Sequence, residues 1–196
     1  MILLIDPVYN PNFQTTITSA TKLGPGISCA KFLGSPGTRV QFEQLNVDKN
    51  LVARQLYLQA EVMRAVINNP AFNNYRLIVA EGIYNPAINE TPTPDSINDY
   101  KTTGRAVVYQ LINRKGEIDQ EKTFDLAVYI KDYVQYDELI LDYDTFDPSG
   151  KMSAQIVVVL PVANESFDLS FKKKVSTFYN GQLQSLNELT EIKLRV

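Results

Sequence analysis

The stretch from Tyr75 to Leu111 constrains the fold more than any other part of this 196-residue chain. Arg76 to Ala80 is a short β-prone run, and Glu81-Gly82 breaks it. A long loop rich in Pro, Asn, Thr and Asp follows. Gly104-Arg105 then opens a second apolar run, from Ala106 to Leu111. Two strands around a polar loop of this length place the loop at a surface, where function tends to sit.

The elements on either side can be read from periodicity and punctuation. Asp48 or Asn50 is an N-cap for a helix from about Leu51 to Asn68. Val52, Leu56, Met63 and Val66 fall on one face, widened by Leu58 and Val62. Arg54, Gln55, Gln59, Glu61 and Arg64 supply its polar positions, and Asn69-Pro70 stops it. A second helix is expected from about Gln120 to Val134, with Phe124, Ala127, Val128, Ile130 and Val134 on its apolar side. Leu139 to Leu141 reads as a short strand and Asp147 to Gly150 as a turn. Ala154 to Leu160 is the most β-prone run and reads as a central strand.

The flanks are less regular. Met1 to Ile5 reads as a strand and not a signal peptide, because Asp6-Pro7 ends it and no basic region precedes it. Gly24 to Gly26 and Gly34 to Gly37 are breakers, with a possible edge strand over Ile27 to Leu33 between them and another strand at Thr38 to Phe42. After Pro161, Phe167 to Phe171 alternates, Phe178 to Gly181 signals a turn, and Ile192 to Val196 alternates again. The expected class is α+β: a small, mostly antiparallel sheet with two helices packed on it, plus extended N- and C-terminal arms. The division is an N-terminal arm (1–50), a core (51–160) and a C-terminal arm with strands (161–196).

A formal net charge of -3 argues against general nucleic-acid binding, which needs a basic surface to neutralise phosphates. The basic run Lys172 to Lys174 is short and suits a solvated edge. The single cysteine, Cys29, excludes an intrachain disulfide. With no histidine in the chain to activate it, a buried, inert thiol is expected. No run reaches the roughly 18 apolar residues of a helical membrane span. No phosphate-binding or dinucleotide fingerprint is present.

Ala80-Glu81-Gly82, followed by a loop and then Gly104-Arg105-Ala106-Val107, resembles the core of the hedgehog/DD-peptidase group, which includes zinc D-Ala-D-Ala carboxypeptidases and the hedgehog signalling domain. The order of elements from Leu51 to Leu160 is the order that core would have. In that group a histidine three residues before the glycine and an aspartate four residues after it bind zinc, and a later strand supplies a second histidine. The matching positions here are Lys101 and Val108, and the later strand offers Gln155 and apolar groups. A protonated lysine has no free lone pair and valine has no donor atom. The resemblance therefore implies the scaffold without the zinc chemistry: no catalytic, cofactor-binding or metal-ligating residue, and no enzyme.

Other carboxylates could carry chemistry. Asp142, Asp144 and Asp147 resemble a calcium loop, but the spacing fails and no closing glutamate follows, so a turn-rich polar surface is expected. Asp142 and Asp144 also lie near the general-base position that the resemblance implies, where a metal-bound water would be needed to give them a role. Glu81 and Asp99 could meet as an acid/base pair, or simply tie down the loop. Arg105 is expected to bond carbonyls or a carboxylate such as Glu81. Three readings stay open: a structural protein on a peptidase-like scaffold, a non-catalytic peptide- or cell-wall-binding module, and a metal-independent hydrolase. The resemblance favours the first, as a component of a bacteriophage virion (tail, baseplate or neck) assembled in the host cytoplasm. Its partners would be other protein subunits, copies of itself included.

Overall fold

The computed structural model describes residues 17–33, 48–83, 100–146, 152–161, 171–179 and 182–187. Several expected features fall outside them: the strands at Met1–Ile5, Thr38–Phe42 and Ile192–Val196, most of Phe167–Phe171, the loop over 84–99, and the Asp147–Gly150 turn. Within them the class is α+β, as expected. Two short strands, β1 (Lys22–Gly24) and β2 (Ile27–Ser28), pair with each other, and a single 3-10 turn, Cys29–Phe32, follows. The edge strand expected over Ile27 to Leu33 therefore stops after two residues. Cys29 and Phe32 instead turn inward and are buried.

Helix α1 spans Lys49–Ile67. The Asp48 carboxylate caps it, accepting from the amides of Asn50 at 2.9 Å and Leu51 at 3.3 Å. Such a cap satisfies donors that have no intrahelical partner. All six residues expected on the apolar face are buried. Gln55 and Gln59, read as polar surface positions, are fully buried as well. Their amides reach backbone carbonyls at the ends of the sheet strands, so burial leaves their NH2 groups bonded.

The main sheet has six strands in the order β3-β4-β6-β5-β7-β8. These are β3 (Arg76–Glu81), β4 (Ala106–Ile112), β5 (Glu138–Phe146), β6 (Met152–Val159), β7 (Lys174–Tyr179) and β8 (Gln182–Leu186). All neighbours are antiparallel except β5 and β7. Helix α2 (Gln120–Tyr133) lies between β4 and β5 in the chain. Asp119 caps it by accepting from the Lys122 amide at 2.9 Å. The same carboxylate accepts from the Tyr75 hydroxyl at 2.8 Å, which ties the start of α2 to the start of β3.

Both helices cover one face of the sheet. Val107, Tyr109, Leu111, Leu139, Leu141, Ile156 and Val158 share a core with the apolar faces of α1 and α2. The other face buries Ala106, Val108, Ile140, Val157, Val159 and Phe178 in a second cluster to which neither helix contributes. Strands buried on both faces need apolar residues at consecutive positions, which explains the unbroken runs in β4 and β6. Each such Val, Leu or Ile contributes roughly 1.5–3 kcal/mol on burial.

Two boundaries differ from the sequence reading. The strand expected over Leu139 to Leu141 runs nine residues, Glu138–Phe146, and takes in Asp142 and Asp144, which the sequence suggests for a turn. Pairing with β6 continues to Phe146↔Met152, and cross-strand bonding overrides the weak β-propensity of aspartate. The segment after Pro161 does not leave the core altogether. Residues of β7 and β8 extend the same sheet, with Leu139↔Val175 in parallel register and Val175↔Leu186 antiparallel. Val175 and Leu186 complete the helix-facing core.

Candidate functional site

The Glu81-Gly82 pair and the Gly104-Arg105 pair meet where β3 ends and β4 begins. A β-bulge lies between Val79 and Glu81, and it brings Glu81 opposite Val108 of β4. A bulge re-aims side chains in this way by setting two residues against one. Next, Gly82 packs against the backbone of Phe32. A Cβ at position 82 would overlap the Phe32 carbonyl, and the Ile83 amide donates to that same oxygen at 2.6 Å. Only glycine allows so close an approach between two backbones.

Residues 100–102 are helical, and the turn closes on Gly104 with φ +74°. The Gly104 amide donates to the Lys101 carbonyl at 3.0 Å, and the Arg105 amide to the Tyr100 carbonyl at 2.9 Å. This pair of bonds is a Schellman closure, which requires a left-handed residue at the glycine position. The glycine is thus explained by helix termination alone.

Arg105 then fixes the start of β4. Its Nε donates to the Leu160 carbonyl at 2.9 Å, and the Leu160 amide returns a bond to the Arg105 carbonyl at 2.9 Å. Its guanidinium lies 3.6 Å from Asp137 and 4.7 Å over the Tyr100 ring. Arg105 therefore bonds a carbonyl and a carboxylate, as its chemistry suggests, but the carboxylate is Asp137 and not Glu81. Glu81 takes Lys101 instead.

The Lys101 side chain is 1% exposed, and its ammonium forms an ion pair with the Glu81 carboxylate, which is 18% exposed. Burial lowers the Lys101 pKa from its ordinary 10.5, and the negative Glu81 partly restores it. Val108 sits directly across from Glu81, and Val157 sits across from Val108. The two positions that the resemblance assigns to zinc ligands, Lys101 and Val108, thus converge on Glu81. They bring one ammonium, one carboxylate and aliphatic carbon. Among the described residues, no group of three or more Asp, Glu, Cys or His side chains is placed to hold a metal ion.

Other candidates are placed as follows. Asp99 and Asp147 lie outside the described residues, so the Glu81–Asp99 pairing has no counterpart among them. Asp142 is buried on β5 and accepts from Gln155 Nε2 at 3.0 Å, and Gln155 in turn accepts from Gln110 at 3.5 Å. Asp144 is within β5. Cys29 is fully buried. The three lysines of the basic run are exposed: Lys172 and Lys174 face Asp137 and Glu138, and Lys173 donates to the Val134 carbonyl at 3.0 Å.

Residues the sequence did not single out do much of the positioning. Gln59 Nε2 donates to the carbonyls of Arg105 at 2.9 Å and Val158 at 3.1 Å, and its Oε1 accepts from the buried Tyr109 hydroxyl at 2.9 Å. Gln55 Nε2 donates to the Pro161 carbonyl at 2.9 Å. Their spacing of four residues, on the same side as the apolar stripe, was the available signal. No protein-family model matches this chain, and neither the curated proteins nor the solved structures give a match.

Proposed function

We propose that this chain is a non-catalytic structural subunit of a larger assembly, built on a scaffold similar to the hedgehog/DD-peptidase core, and that the assembly is a bacteriophage virion in which it serves in the tail, baseplate or neck. The observation that carries the reading is the Lys101–Glu81 ion pair, in which the lysine is buried and Glu81 lies across from Val108 of β4. At the positions where the resemblance would put zinc ligands, this chain has a lysine paired with Glu81 and a valine across the strand from that glutamate. Such a pair ties the end of β3 to the helical turn before β4. The protonated Lys101 ammonium has no lone pair for a metal, and the Glu81 carboxylate is engaged by that ammonium.

The link to virions rests on the distribution of the resembling family. The test is to purify particles from a culture that produces the chain and quantify subunits by mass spectrometry. The expected result is this chain in fixed stoichiometry with other particle proteins through successive density gradients. A chain found only in the lysate and never in the particles overturns the reading. Retention on peptidoglycan fragments with no particle association would move the assignment to a binding module.

A further inference from the structure

We draw no further inference here: the strongest candidate, the exposed Tyr133 ring stacked on Tyr129 at the C-terminal end of α2, is an apolar surface patch with nothing in the structure to show what covers it.

Discussion

The α-carbon of Gly82 lies against the carbonyl of Phe32, with no room between them for a side chain. Through this contact the turn that follows β2 is fastened to the end of β3. The pair that breaks the strand in the sequence therefore has two separate tasks. Glu81 takes the buried ammonium of Lys101, and Gly82 admits the Phe32 backbone.

Gly82→Ala should therefore destabilise the protein by at least about 2 kcal/mol, because the added methyl meets rigid backbone and not a movable side chain. Urea unfolding is the measurement. A lower midpoint with an unchanged slope is expected, and a midpoint equal to wild type would show that the Phe32 turn can move away at little cost.

Removing the Lys101 charge should be costly because it strands Glu81. Lys101→Met is expected to lose about 3 kcal/mol, the low end for a broken buried pair, since Glu81 retains some solvent contact. Adding Glu81→Leu should recover part of that loss, and a double-mutant cycle reads the coupling. The pH dependence has a definite sign. The folded-state pKa of Lys101 lies below the 10.5 of the unfolded chain, so the unfolded state binds more protons between the two values. Stability contributed by this group rises with pH in that window. The advantage of wild type over Lys101→Met should widen as pH approaches 10.5 from below, and a narrowing would contradict the assigned shift.

Gln59 and Tyr109 form one buried unit. Gln59→Leu removes a bond to the Arg105 carbonyl, another to the Val158 carbonyl, and the side-chain acceptor of the Tyr109 hydroxyl, which keeps its 3.2 Å bond to the Gln59 backbone carbonyl. A loss of roughly 1–3 kcal/mol is expected, the usual cost of leaving a buried polar group unsatisfied. Tyr109→Phe alone should cost less. In the Gln59→Leu background it should cost less still, because only the 3.2 Å bond from the hydroxyl to the Gln59 backbone carbonyl is left to lose. Additive losses would argue that the two groups act independently.

Wild-type protein is expected to retain no stoichiometric zinc after dialysis and to leave D-Ala-D-Ala peptides uncut, given Lys101 and Val108 at the positions of interest. Elemental analysis giving one zinc per chain would refute this. Arg105→Met should lower stability, because the guanidinium joins the Leu160 carbonyl, Asp137 and the Tyr100 ring, while any ligand affinity of the folded protein stays unchanged.

The sequence by itself determined the elements whose cause is local. It narrowed the cap of α1 to Asp48 or Asn50, since a side-chain oxygen at either can reach free amides, and the structure takes Asp48. Asn69-Pro70 ends that helix, and the apolar runs in β4 and β6 announce strands buried on both faces. Strand order, and the partner each polar group takes, depended on tertiary structure. Arg105 could have bonded Glu81 on chemistry alone, but the Val79–Glu81 bulge turns Glu81 toward Lys101 and leaves Asp137 for the arginine. Gln55 and Gln59 read as surface residues because helical periodicity sorts residues by polarity. An amide can nevertheless be buried wherever strand carbonyls lie within its reach. Asp142 and Asp144 belong to β5 because β6 pairs on both sides of an irregularity there, Asp142 with Gln155 and Thr145 with Ser153. Periodicity and capping depend on neighbours a few residues away, whereas pairing depends on which distant segments the closed chain brings side by side.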